Sequence, residues 1–137
     1  MSIQLGDHTR ALLAQSLPLM ERSMGRLIEG LGAYVGAVVA GTNDDPELVA
    51  TTLTEMMLAQ SAQMLQSGTF PNTGDLKRQH EALGIEGRHY SRFGDALSPV
   101  IRDVLGPNVP SAVPAAWGDA FWAIVRTIKS AGAKAYA

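Results

Sequence analysis

Apolar residues recur every three or four positions along most of the chain, and no segment alternates as a half-buried strand would. The pattern is interrupted by stretches rich in Gly, Pro and Asn at residues 41–46, 67–74, 84–87 and 106–110. The spacing therefore predicts an all-α protein of six to seven helices. No internal repeat or long linker divides the chain, so we expect a single domain over residues 1–137.

Prolines carry two opposite signals in this pattern. Pro18 and Pro99 lie inside the first and fifth predicted helices, and each removes a backbone N–H, so we expect a bend or boundary at Pro18 and a bend at Pro99. Asp45, in contrast, comes directly before Pro46 and Glu47. A capping residue, then proline, then an acid near the positive end of the helix dipole predicts a helix that begins at Pro46.

The second predicted helix, over residues 24–39, contains an unusual number of glycines. Each glycine in a helix interior is less favourable than alanine by about 1 kcal/mol. We therefore expect that a neighbouring helix approaches closely here, or that packing alone holds this helix together. The glycines concerned are Gly25, Gly30, Gly32 and Gly36.

Composition narrows the function mainly by exclusion. Hydrophobic residues make up 46% and charged residues 18%, so a core can form, while a net charge of −2 offers no basic surface for nucleic acid. The lack of cysteine excludes disulfides, thiolate metal sites and cysteine nucleophiles. No apolar run is long enough to span a bilayer, and no secretory signal is evident. We expect a soluble, cytoplasmic protein without nucleic-acid or membrane partners.

The candidates left for chemistry are three histidines and the carboxylates. The sequence has no HExxH pair, calcium-binding loop or glycine-rich phosphate loop, and nothing places a base beside a nucleophile. His8 and His89 are most simply explained as solvated residues at helix starts. His80 lies on a short amphipathic helix followed by Leu83 and Gly84. Taken alone, such a histidine is more often a surface or capping residue than a metal ligand.

The segment LKRQHEALGIEGRHYSRFG, residues 76–94, resembles the proximal region of bacterial haemoglobins. The resemblance is to the globin domains of flavohaemoglobins and their single-domain relatives, and it continues through VIRDVLG at 100–106 and AAWGDAF at 115–121. A histidine, a Leu-Gly turn, a His-Tyr pair and an Ala-Trp-Gly helix follow in the family's order. The resemblance implies a globin-like fold with a shortened segment between the second and third helices.

By this resemblance His80 is the proximal ligand of a haem b iron. One ring nitrogen would bind iron, and the other N–H would donate to a carbonyl one helical turn earlier. Tyr90 falls where the family has a tyrosine beside the ligand histidine. The remaining pocket residues assigned on this basis also suit core positions, and they are Phe93, Leu97, Phe121, Leu53, Met56 and Met57.

The N-terminal half departs from the family on the side where the gas would bind. The distal tyrosine of flavohaemoglobins falls near Gly32, with Tyr34 two residues away, and the distal glutamine falls near Ala50. The glutamate that partners the proximal tyrosine and histidine in the family falls near Gly132. The resemblance therefore identifies no polar distal residue, which implies either weak oxygen stabilisation or a differently built distal side, and it implies a proximal pair without its glutamate.

Three functions stay open at this point. The one we favour is a haem-binding single-domain globin that binds oxygen, nitric oxide or carbon monoxide for storage, sensing or detoxification. The second is a globin-like interaction or sensor module that binds no haem. The third is enzymatic turnover, as a nitric oxide dioxygenase or a peroxidase, which would require an external reductase. A homodimer is compatible with each of them.

Overall fold

A computed structural model describes residues 5–39, 45–71 and 73–134, and within these ranges the chain forms six α-helices and no strand. The all-α prediction is confirmed, and the arrangement is consistent with a globin-like fold. The predicted shortening between the second and third helices falls on residues 40–44, which lie outside the described residues. The helices are α1 (Asp7–Arg22), α2 (Met24–Val39), α3 (Pro46–Ser67), α4 (Thr73–Ala82), α5 (Gly87–Leu105) and α6 (Ala112–Lys134).

Helix α3 begins where its sequence signal predicts. The Oδ1 atom of Asp45 accepts the backbone N–H groups of Glu47 at 3.1 Å and Leu48 at 3.2 Å, and Pro46 is the first helical residue. The helix ends at Gly68, whose φ of 85° is the left-handed conformation that glycine adopts without a steric penalty. Local capping chemistry therefore sets both ends of α3.

The two interior prolines do not end their helices. Pro18 lies within α1 and Pro99 within α5, so Pro18 marks no helix boundary, and the bends expected at both residues stay predictions. Both prolines are exposed, as are Ala14 and Asp95 one turn earlier. The backbone carbonyls that lose their N–H partners therefore lie on exposed faces, where water can replace the missing bond.

Close helix approach occurs at one of the described glycines of α2. At Gly30, where α2 crosses α5, an added Cβ would lie only 2.8 Å from Cγ1 of Val100. At Gly32, where α2 crosses α3, an added Cβ would lie 3.7 Å from the Cβ of Ala50. The predicted close approach is therefore confirmed at Gly30, whereas an added Cβ at Gly32 would make only ordinary van der Waals contact and one at Gly25 would meet no neighbouring element within 4 Å.

The core lies where α1, α2, α3, α5 and α6 meet. Its largest side chain is Trp117, which is fully buried and whose Nε1–H donates to Oγ of Ser16 at 2.9 Å, linking α6 to α1. Helix α4, described over its whole length, packs mainly on α6 and buries one residue, His80. A polar helix thus contributes an imidazole to a predominantly apolar interior. No helix in the described ranges combines the length and the apolar character needed to cross a membrane.

Candidate functional site

The backbone around His80 is fixed by the turn that ends α4. Gly84 has a φ of 76°, which a side chain would disfavour. The N–H of Ile85 donates to the carbonyl of His80 at 2.9 Å, and the N–H of Gly84 donates to that of Glu81 at 3.1 Å. These two bonds form a Schellman motif. The Leu-Gly-Ile sequence therefore ends the helix within a few residues of the candidate ligand and holds its main chain in place.

Helix α5 begins with a capping box in which His89 takes part. Nδ1 of His89 accepts the backbone N–H of Glu86 at 2.9 Å, while the Glu86 side chain accepts a backbone N–H of the first turn. His89 is only 1% exposed, so the expectation of a solvated residue is wrong. The pair of residues 89 and 90 has divided roles, since His89 fixes the helix start and Tyr90 faces α4.

His80 and Tyr90 form a buried hydrogen-bonded pair. Nδ1 of His80 lies 2.7 Å from Oη of Tyr90, and the two ring centroids are 5.8 Å apart. The predicted bond to a carbonyl one turn earlier in α4 is therefore wrong, because the phenol takes its place. Atom Nε2, on the other side of the imidazole, is buried and has no hydrogen-bond partner among the described residues.

Burial keeps both rings of this pair neutral. It lowers the pKa of His80 from its usual 6.5, because a charged imidazolium is poorly solvated in the core. Burial, helped by the negative charge of Glu81, raises the pKa of Tyr90 to about 12. At neutral pH the site therefore presents an uncharged imidazole beside an uncharged phenol, and the neutral imidazole is the form that binds metals.

Aromatic rings support the pair from α5 and α6. The ring of Phe121 lies 6.5 Å from that of Tyr90 and 4.8 Å from that of Phe93, measured between centroids. Phe93 and Phe121 are fully buried. Rings at these separations contribute contact energy beyond the area they bury. Phe121 therefore supports Tyr90 from α6, and Phe93 in turn packs against Phe121.

The other predicted pocket residues are buried in the same core. Their role as haem contacts stays a prediction, because a core position would bury them equally well. Tyr34 is 40% exposed, and its backbone carbonyl accepts a bond from Nε of Arg92 at 3.2 Å, so this tyrosine lies at the surface. The buried residues concerned are Leu97 on α5 and Leu53, Met56 and Met57 on α3.

Three polar residues of α3 were not expected in the core. Gln60 is buried and its Nε2 donates to the carbonyl of Pro71 at 2.7 Å, while its Oε1 has no partner among the described residues. The hydroxyls of Thr54 and Ser61 are likewise buried without a partner in the described part of the chain. Each of these residues is a polar position within the apolar stripe of α3. Helical periodicity alone does not predict that such a position is buried.

The donor set of this site is a single imidazole. Among the described residues, no three His, Cys, Asp or Glu side chains come together in a group that could hold a metal ion. A haem would suit such a site, because its iron could be held by a single side chain of the protein. The buried, unpartnered Nε2 of His80 has the chemistry of that ligand, so the residues present fit the group.

Comparison with known proteins points in the same direction. The chain is 25% identical over 136 residues to the flavohemoprotein of Xylella fastidiosa strain Temecula1 and, to the same extent, to that of strain 9a5c. Each match covers 94% of this chain and 34% of the relative, so the chain spans about a third of the length of these proteins. No protein-family model matches the chain. The similarity is distant and consistent with a relationship to a globin domain.

Proposed function

We propose that this chain binds haem b through His80 and uses it to bind a small diatomic gas. The observation that carries the proposal is the buried Nε2 of His80, which has no partner among the described residues. Leaving a buried polar atom unsatisfied is unfavourable by about 1–3 kcal/mol, so such atoms in a native fold need an explanation. A haem iron would satisfy this nitrogen and account for the similarity to flavohemoproteins.

In this proposal Tyr90 sets the position of a proton on the imidazole. When Nδ1–H donates to Oη of Tyr90, the lone pair is left on Nε2, where a metal can accept it. A pKa of about 12 keeps the phenol protonated and uncharged. When bound, haem would supply an iron that His80 could hold and that could bind a gas. Phe93 and Phe121 exclude water from the imidazole side.

Titration of the purified protein with hemin tests the proposal. We expect an intense Soret band at one hemin per chain, and we expect His80→Gly to lose the axial bond and most of the affinity. Added imidazole should restore the spectrum of the variant, because it can occupy the space of the missing ring. His8→Ala is the matched control, since His8 is exposed in the first turn of α1 and should leave the titration unchanged.

The second function, a globin-like module that binds no haem, is favoured by one observation. His80 is only 1% exposed and the rings of Phe93 and Phe121 are packed at 4.8 Å, so the described core is closed around the imidazole. A porphyrin would have to separate the groups that cover Nε2. A protein that stays colourless with excess hemin, with an unchanged melting temperature, would establish this module and exclude haem binding.

The finer expectations stay predictions. They are a single domain over residues 1–137, the choice of haem b, a cytoplasmic location, an external reductase and a homodimer.

A further inference from the structure

A series of aromatic rings connects His80 with the protein surface. The ring centroids of His80 and Tyr90 are 5.8 Å apart, and those of Tyr90 and Phe121 are 6.5 Å apart. The ring of Trp122 follows, 5.5 Å from that of Phe121. We call these four residues the aromatic path. It begins at the buried imidazole and ends at Trp122, which is only partly buried.

Trp122 is held against α5 and also lines a surface groove. An added Cβ at Gly94 would lie 2.6 Å from Cζ2 and 3.0 Å from Nε1 of Trp122, so an edge of the indole rests on the backbone of α5. The groove, of about 320 Å³, lies between the start of α1 and α6, and the charged residues Asp119 and Arg126 line it too. The indole therefore has a fixed position while part of it stays accessible.

Trp122 is the residue of the aromatic path best suited to lose an electron. Indole and phenol rings are oxidised by one electron far more easily than the rings of phenylalanine and histidine. A tyrosine must release its phenolic proton when it is oxidised, but Oη of Tyr90 is buried against Nδ1 of His80, which already carries a proton in the proposed arrangement. Its pKa of about 12 also opposes that release. The Nε1 proton of a partly exposed indole can pass to water instead.

The second tryptophan of the chain provides an internal comparison. Trp117 is fully buried, and its Nε1–H donates to Oγ of Ser16 at 2.9 Å. None of the ring contacts among the described residues involves Trp117. The two indoles are therefore chemically alike, but only Trp122 combines contact with the aromatic path and access to solvent.

We propose that Trp122 gives up an electron, along the aromatic path, when the haem-loaded protein reduces a peroxide. This inference rests on the proposed function. Reducing hydrogen peroxide to two water molecules breaks the O–O bond and takes up two electrons and two protons. In the ferrous protein one electron comes from the iron, which becomes ferric, and the other comes from Trp122. Solvent supplies both protons and receives the Nε1 proton of Trp122, which is left as a neutral indole radical. The oxidation is thereby carried from His80 and Tyr90 to the surface.

Freeze-quench electron paramagnetic resonance, after hydrogen peroxide is added to the ferrous haem-loaded protein, tests the proposal. We expect the signal of a tryptophan radical, and we expect Trp122→Phe to lose it while still forming the Soret band with hemin. Peptide mass spectrometry of the reacted wild type should find oxidised indole at Trp122 and not at Trp117. Phe121→Leu interrupts the aromatic path and should lower the oxidation of Trp122 without removing the indole.

Haem-free protein treated with the same peroxide is the matched control, and its Trp122 should stay unoxidised. Equal oxidation of Trp122 with and without haem would overturn the proposal, because exposure alone would then explain it. A radical that persists in Trp122→Phe, or that resides on Tyr90, would also overturn it while leaving haem binding intact. The absence of a Soret band before any peroxide is added would overturn the proposed function, and this inference with it.

Discussion

The α4–α5 corner, residues 73–97, and the α2–α3 pair, residues 24–67, are built in contrasting ways. In the corner, side-chain hydrogen bonds hold buried polar groups, as between His80 and Tyr90 at 2.7 Å. In the pair, helices meet through small residues, as at Gly32 and Ala50. Small-residue contacts fix how far apart two helices lie, whereas hydrogen bonds fix how a side chain is oriented. A ligand nitrogen needs orientation, and the corner supplies it.

The largest expected effect comes from removing an aromatic ring beside the corner. Phe121→Ala should lower the free energy of unfolding by about 3–5 kcal/mol, because Phe121 is fully buried against Tyr90 and Phe93. Leu31→Ala, at an equally buried position of α2, should lower it by about 2–5 kcal/mol. Urea unfolding measures both losses.

Hemin affinity should distinguish the α4–α5 corner from the α2–α3 pair. We expect Phe121→Ala to weaken hemin binding by more than its loss of stability alone explains, because the ring supports Tyr90. Leu31→Ala should change the affinity little at temperatures where it is folded. An equal loss of hemin affinity in both variants would show that the orientation of side chains in the α4–α5 corner makes no specific contribution to hemin binding.

A smaller effect is expected where α5 meets α6. An added Cβ at Gly94 would lie 2.6 Å from Cζ2 of Trp122, so Gly94→Ala forces the indole ring to move. The overpacking should destabilise the protein by about 1–3 kcal/mol, offset in part by the better helix propensity of alanine. Gly118→Ala in α6 is the control, since no atom lies within 4 Å of the added methyl group, and we expect it to stabilise by about 1 kcal/mol. Thermal unfolding that shifts in the same direction for both variants would contradict the close contact.

The smallest expected effect is a dependence of stability on acid. Burial lowers the pKa of His80 in the folded protein, so below about pH 6.5 the unfolded chain binds a proton that the folded chain resists. The contribution of His80 to the free energy of unfolding is therefore complete above that pH and is lost as the pH falls. In haem-free protein, His80→Gln should flatten the fall of stability between about pH 7 and pH 5. His8→Gln, an exposed control, should keep the wild-type slope.

Local signals in the sequence predicted the elements well. The start of α3 follows from Asp45 and Pro46 alone, because a cap acts on N–H groups two and three residues away. The burial of His80 could be expected only from the resemblance, since α4 is otherwise a polar helix. The sequence could not show that α1 continues past Pro18, because the effect of a proline depends on which face of the helix it occupies, and that face is set by tertiary packing.

Local sequence patterns could not predict the hydrogen-bond partners of the site residues. Neither helical period nor capping rules place Oη of Tyr90 on Nδ1 of His80, because the two residues belong to different helices. The same holds for Gln60, whose bond to Pro71 depends on how α3 and the following segment are arranged. Hydrogen bonds between side chains of two different elements are seen only in the three-dimensional structure. Those within one helical turn can be predicted from the sequence.

The short connection after α4 has a consequence for how the protein folds. His80 and Tyr90 are ten residues apart, so a very small loop brings their rings together. Loops of this length close in roughly 10–100 ns, long before helices distant in sequence find each other. The partner that orients the imidazole thus comes from a single helix-turn-helix segment, and Phe121 of α6 supports that partner once the bundle has assembled.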